Sequence, residues 1–282
     1  MSAVDYKKLS STAAPVVYGR TFSDIPYSKE ITQLCQVDSL ISDAYRKTNR
    51  LIAPYIEARF KALTNLLVKS GIKNVIEVAS GLSQRGLIMT ENETINYIET
   101  DLPDMIRQKE QVLKELLDHK NKTFPSHLRF AELNALDEEN FKAVISRFPK
   151  GSIAIGHEGF LAHLTRDERV KLACIIKGIL SERGGVWITP DIFTGKQLAE
   201  LLAHGQGQKV TEDVVKNTGR NYHDNAFVDI EDAKRFFTDL GFTYTIHTLG
   251  EAAGKIASAG IGLDKESLKS QLALNIWELR SI

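Results

Sequence analysis

Apolar positions change their spacing along this 282-residue chain. From Ser28 to Lys69 they recur three and four apart, at Ile31, Leu34, Leu40, Ile41 and Tyr45, then at Tyr55, Phe60, Leu63, Leu66 and Leu67. That spacing predicts two or three helices, with a break near Pro54. From Asn74 onward, short apolar runs alternate with helical stretches. Strands are predicted at Asn74–Val78, Ile95–Glu99, Leu128–Leu133, Ser152–His157 and Val186–Pro190. Helices are predicted from about Ser83, over Pro103–His119, over Glu138–Arg147 and over Arg166–Ser181. Pro103 suits a first helical turn, and Thr165 suits an N-cap. Residues 1–16 are small and polar, which predicts a frayed or extended start.

The rhythm stops over residues 191–230. A helical stretch, Gly195–Ala203, is followed by Gly205-Gln206-Gly207, Asn217-Thr218-Gly219 and Tyr222-His223-Asp224-Asn225. This is too long for an ordinary connection and is expected to be a lid. The alternation resumes with helix Ile230–Leu240, strand Thr243–Thr248, a Gly/Ala-rich loop, a short helix at Lys265–Gln271 and a last strand, Leu274–Leu279. The expected fold is α/β, a doubly wound and mostly parallel seven-stranded sheet with its cofactor site at the carboxyl ends of the first strands. The expected division is a helical cap over residues 1–70 and a core over 71–282 that carries the lid insertion at about 191–230.

Composition narrows the class. Thirty-six basic and 36 acidic residues cancel, so no global charge recruits nucleic acid or a membrane surface. Only Cys35 and Cys174 occur, which argues against a disulfide scaffold or a cysteine-rich metal site. Cys174 lies in the apolar run Val170–Leu180 and is expected to be buried. No long apolar stretch follows Met1, and no segment reaches the ~20 apolar residues needed to span a bilayer, so a cytoplasmic protein is expected.

The chemistry is concentrated at the strand tips. Glu77-Val-Ala-Ser-Gly81 is a small-residue turn without the Gly-x-Gly-x-x-Gly pattern of a dinucleotide site. Ala79 and Gly81 allow close backbone approach, and Glu77 would repel phosphate and favour a sulfonium. The alternative is a tight strand–helix turn with an incidental glutamate. Asp101 ends the second strand, where a carboxylate can accept bonds from two ribose hydroxyls; it also suits a helix start.

Several segments together resemble the leucine carboxyl methyltransferase family and its bacterial O-methyltransferase relatives. They are Tyr97-Ile-Glu-Thr-Asp-Leu-Pro103 followed by Lys109, Pro54-Tyr-Ile-Glu-Ala-Arg59, Phe130-Ala-Glu-Leu133, Ile155-Gly-His-Glu-Gly-Phe-Leu161 with Leu164 and Thr165, and the closing Ile276-Trp277. The resemblance implies a Rossmann-like methyltransferase that uses S-adenosylmethionine. It implies that Arg59 pairs with the cofactor carboxylate, that Ala79 and Gly81 give backbone access, and that Asp101 holds the ribose. Glu132 and Leu133 would meet the adenine edge, and Glu158 would lie at the amino acid end or the transferring methyl. The chain departs from the family pattern with Ala-Ser-Gly in the first loop, Ser83 for an aspartate, Glu132 for an aspartate and His163 for a tyrosine.

His157, His163 and His223 are candidate bases, because histidine titrates near neutrality; a structural role is the alternative for His157 and His163. Arg59 can also be read as a solvated helix arginine. Arg220 and Tyr222 could recognise substrate or simply form a solvated loop tip. The expected acceptor is a small-molecule hydroxyl or carboxylate, or a protein carboxyl terminus, and no metal is implied. The alternatives are a nicotinamide-dependent oxidoreductase on the same architecture and a relative that binds cofactor without turnover.

Overall fold

The computed structural model describes residues 13–203 and 225–282, with the side chains of Ala44, Tyr45, Thr48, Leu202 and Ala203 left aside. Twelve helices and seven strands are named within them. Ahead of the sheet come α1 (Ala13–Arg20), α2 (Ser28–Leu34), α3 (Val37–Leu40) and α4 (Asp43–Lys69). The alternating region holds β1 (Asn74–Glu77), α5 (Arg85–Met89), β2 (Asn96–Asp101), α6 (Pro103–His119), β3 (Leu128–Glu132), α7 (Glu138–Ile145), β4 (Ile153–Gly156), α8 (Arg166–Arg183) and β5 (Gly185–Thr189). The chain finishes with α9 (Gly195–Ala203), α10 (Ile230–Asp239), β6 (Phe242–Thr248), α11 (Leu249–Ala253), α12 (Lys265–Leu272) and β7 (Asn275–Ser281).

The sheet order is β3-β2-β1-β4-β5-β7-β6. Strands β1 to β5 run parallel, and β7 lies antiparallel between β5 and β6. The order reverses at β1, so a crevice opens at its carboxyl end between β2 and β4. The central strands β1, β4 and β5 are buried almost throughout because both faces are covered, whereas the edge strand β3 exposes Arg129 and Glu132. Alternate residues still serve different layers. Val75, Tyr97, Ala154 and Ile188 pack with α1, α4 and α6. Ile76, Ile98, Ile155 and Trp187 pack with α7, α8 and α10.

Several local outcomes differ from the sequence reading. Of residues 1–16, expected to be frayed or extended, 1–12 lie outside the described residues and 13–16 belong to α1, with Ala14 and Val17 of that helix buried in the first of these layers. The helix predicted to break at Pro54 runs through it for 27 residues. Proline removes a donor and crowds the preceding turn, and the buried Gln271 side chain of α12 compensates. Its Oε1 accepts from Tyr55 N at 3.2 Å, and its Nε2 donates to Leu51 O at 3.0 Å. Those two backbone groups would pair with each other in an undisturbed helix. Cys174 is exposed rather than buried. It lies on the outer face of α8, between the buried Leu172–Ala173 and Ile175–Ile176 pairs. The Gly/Ala-rich stretch after β6 contains α11, closed by a capping box of Thr248 and Glu251. Thr165 does cap α8 in a second capping box, with Glu168.

Candidate active site

A cavity of about 500 Å³ opens at the carboxyl ends of β1 to β4. Its floor is the turn after β1. Ala79 and Gly81 take left-handed backbone angles, with φ of 51° and 48°. An alanine there is unusual, because its Cβ crowds the backbone. Val78 N donates to Gly156 O and Ser80 N to Thr100 O, each at 2.8 Å, so the turn is tied to both neighbouring strands. Gly81 N donates to Asp101 Oδ2 at 2.8 Å, and Leu102 N donates to Asp101 Oδ1 at 2.8 Å. A carboxylate oxygen has two acceptor positions, so each Asp101 oxygen retains one. Burial raises the Asp101 pKa, against these backbone bonds.

The cavity lining also holds converging charges. Arg59 of α4 and Arg20 of α1 each donate to Glu158 Oε1 at 3.1 Å. Arg85 of α5 donates to Glu158 Oε2 at 2.5 Å and also pairs with Glu77. Tyr97 completes the group, its hydroxyl donating to Glu77 Oε2 at 2.7 Å. Burial pushes the Glu158 carboxyl up, but Arg59, Arg20 and Arg85 outweigh it and bring it to about 2. The Phe60 ring meets two of the guanidiniums, its centre 4.3 Å from that of Arg85 and 5.1 Å from that of Arg20. Two buried polar atoms of lining residues, Arg20 Nε and Ser80 Oγ, have no hydrogen-bond partner.

Beneath the turn, Lys109 is fully buried, paired with Glu99, and donates to Ser80 O at 3.4 Å. Glu99 also accepts from Gly86 N at 2.8 Å. A Cβ at Gly86 would overlap the Glu99 carboxylate and lie 2.8 Å from Leu128 Cδ1, so this contact requires a glycine.

The model of the leucine carboxyl methyltransferase family matches residues 28–174, more than half of the chain. The chain belongs to the leucine carboxyl methyltransferase family. S-adenosylmethionine is the cofactor of that family. A structure from Thermobifida fusca assigned as a methyltransferase is 13% identical, with a TM-score of 0.61 over 98% of this chain and 96% of that one. A DUF574 family protein from Streptomyces avermitilis is 12% identical, with a TM-score of 0.61 over 98% and 100%. The plantazolicin methyltransferase BamL, solved with a triazolic desmethyl analogue and S-adenosylhomocysteine, is 13% identical, with a TM-score of 0.50 over 96% and 97%. At such identities the likeness is one of fold. No curated protein shows significant similarity to the chain.

Of the residues singled out in this family member's sequence, Arg59, Ala79, Gly81, Asp101, Leu133, Glu158 and His163 line the cavity. Glu77 does not. It is buried against Arg85 and Tyr97, so its charge is matched below the turn and presents no bare carboxylate to a ligand. Glu132 is exposed at the end of β3 and accepts from Arg107 at 2.7 Å, outside the cavity lining. His157 is fully buried and also outside the lining. Its Nε2 accepts from Trp187 Nε1 at 2.9 Å, which leaves Nδ1 to donate to Asp191 Oδ2 at 3.0 Å. Both ring nitrogens are thus engaged, which suits a structural histidine rather than a base. Arg220, Tyr222 and His223 lie outside the described residues. Among the described residues no group of three or more His, Cys, Asp or Glu is arranged to hold a metal ion, and no helix is long and apolar enough to cross a membrane.

Three site residues escaped the sequence reading. Arg20 was hidden by the small, polar run before it. Arg85 and Asp191 carried usable signals: an arginine at the head of the apolar stretch Gly86–Met89, and an acid just past the end of a buried strand. Asp101 and Glu158 share the second signal.

Proposed function

We propose that this chain transfers the methyl group of S-adenosylmethionine to an oxygen of a small-molecule hydroxyl or carboxylate. One observation carries the reading. A single cavity is lined both by a carboxylate with free acceptor positions, Asp101, and by the guanidiniums of Arg20 and Arg59, gathered on Glu158. A ribose diol suits the first, and an α-carboxylate suits the second.

In this proposal Asp101 holds the ribose, and Ala79 and Gly81 give backbone access. Arg59 and Arg20 meet the carboxylate, Glu158 faces the ammonium group, and Leu133 packs on the adenine edge. Glu77 acts at one remove, by holding Arg85. Glu132 contributes at most at the outer rim. The bound cofactor supplies an electrophilic methyl on a sulfonium. The chain supplies alignment, which can lower a barrier by ~7–11 kcal/mol, and walls that exclude water.

A carboxylate acceptor is already anionic and needs no base. A hydroxyl acceptor would use His163, a cavity residue, for a gain of ~100-fold or more. The helices before β1 act as a cap, since Ala13, Val16 and Val17 of α1 face the cavity. The insertion over about 191–230 acts as the lid, with Arg220, Tyr222 and His223 as candidate acceptor contacts. A protein carboxyl terminus is a second acceptor of the same chemistry.

Thermal shift with S-adenosylhomocysteine and with NAD tests the cofactor; a larger stabilisation by NAD would reject the reading. Transfer of labelled methyl to phenols, aliphatic acids and peptides with free carboxyl termini tests the acceptor atom. Oxygen is the acceptor if the product is an ester or an ether, and label recovered only on nitrogen, carbon or sulfur would reject it.

A further inference from the structure

The loop after β4 supplies Glu158, Phe160 and His163 to the cavity. It is held from behind by Asp191, a residue just beyond β5 that lies outside the cavity lining and is 2% exposed. Asp191 Oδ1 accepts from Gly159 N at 2.7 Å. Its Oδ2 accepts from Phe160 N at 2.7 Å, from Leu161 N at 3.2 Å and from His157 Nδ1 at 3.0 Å. Four donors thus converge on two oxygens, three of them on Oδ2, a crowding of donors that an ionised carboxylate can accept because it carries no N–H or O–H of its own. An amide in the same place would turn N–H groups toward at least one of those donors. The arrangement is fixed from the far side as well, because Trp187 holds the His157 ring and Thr189 Oγ1 accepts from Asp191 N at 3.1 Å.

Gly159 has φ of 79°, a left-handed angle that turns its N–H back toward Asp191. The peptide anchored in this way is the one joining Glu158 to Gly159. Its position sets where the Glu158 side chain starts, and therefore where Arg20, Arg59 and Arg85 meet. Burial would raise the Asp191 carboxyl, but the His157 bond, the Arg59 charge and the Gly159 N–H outweigh it and hold the group well below the ordinary range.

We propose that Asp191 is a positioning residue for the amino acid end of the cofactor: by fixing the Glu158–Gly159 peptide it places the carboxylate on which the three arginines converge. The proposal rests on the cavity being an S-adenosylmethionine site. The adenosine end is assigned separately, to Asp101 at the end of β2.

The test is calorimetry of Asp191→Asn with two ligands, S-adenosylhomocysteine and 5′-methylthioadenosine, the second of which lacks the amino acid portion. Affinity for S-adenosylhomocysteine should fall about tenfold or more, while affinity for 5′-methylthioadenosine stays within about twofold. Equal losses for both ligands, as expected from general loosening, would overturn the proposal, and so would an unchanged affinity for S-adenosylhomocysteine. If the variant does not fold, hydrogen exchange on the wild-type chain decides. The amides of Gly159, Phe160 and Leu161 should be slowed by S-adenosylhomocysteine and not by 5′-methylthioadenosine, and equal protection by both would overturn it. Failure of the wild-type chain to bind either ligand would instead reject the cofactor reading, and that is seen before any variant is made.

Discussion

Replacing Glu158 with glutamine removes one charge and one acceptor from the middle of the arginine cluster. The side chains of Glu158, Arg20, Arg59 and Arg85 are 3%, 7%, 10% and 0% exposed. Breaking a buried ion pair by removing one partner costs about 3–5 kcal/mol, because the remaining charge is left uncompensated. The upper end does not apply in full. Arg20 and Arg59 border the cavity and can recover water there, and Arg85 keeps Glu77. The expected loss for Glu158→Gln is therefore about 3 kcal/mol, a large share of a typical 5–15 kcal/mol of stability. Urea denaturation measures it as a lower midpoint at an unchanged slope.

The same geometry predicts coupling. In a double-mutant cycle with Arg85→Met, the two losses should fall short of additivity by about 1 kcal/mol or more, since both remove the same contact. A loss under about 1 kcal/mol for Glu158→Gln would refute the reasoning, because it would mean that the cluster is solvated and its ion pairs behave like surface pairs.

Three further expectations follow from other contacts. Gln271→Leu should destabilise by about 2 kcal/mol, since Tyr55 N and Leu51 O both lose their bridge beside Pro54; an unchanged denaturation midpoint would show that the helix closes over the proline by itself. Gly86→Ala should cost about 1–3 kcal/mol by overpacking against Glu99 and Leu128, and a melting temperature equal to wild type would contradict it. Asp101→Ala should weaken S-adenosylhomocysteine about tenfold or more at neutral pH while leaving the circular dichroism spectrum unchanged, which calorimetry checks. Burial raises the Asp101 pKa, so protonation reaches it before an ordinary carboxylate at about 3.9. Affinity should therefore fall as pH drops from neutrality through that raised value, and Asp101→Asn should flatten this limb; an identical pH profile in the variant would remove Asp101 from the ribose assignment.

The alternation of strands and helices was legible in the sequence because its causes are local. A buried strand needs a short apolar run, a helix needs an apolar face every three or four residues, and glycine or proline marks the turns between them. The same local logic exposed Asp101 and Glu158 as acids at strand ends, and it should have exposed Asp191. What it could not supply was partnership. Arg20 and Glu158 are 138 positions apart, Arg85 and Glu158 are 73, and Tyr55 and Gln271 are 216. No periodicity links such pairs; only the sheet order and the packing of α1, α4 and α12 bring them together. For that reason Glu77 looked like a ligand-facing acid and proved to be half of a buried ion pair. Pro54 looked like a helix end and proved to be bridged from elsewhere in the chain. The chain's local chemistry determined which elements form and where their tips carry charge. The tertiary structure decided which charges neutralise one another and which still face a cavity, because hydrogen bonds and ion pairs depend on distance in space rather than along the chain.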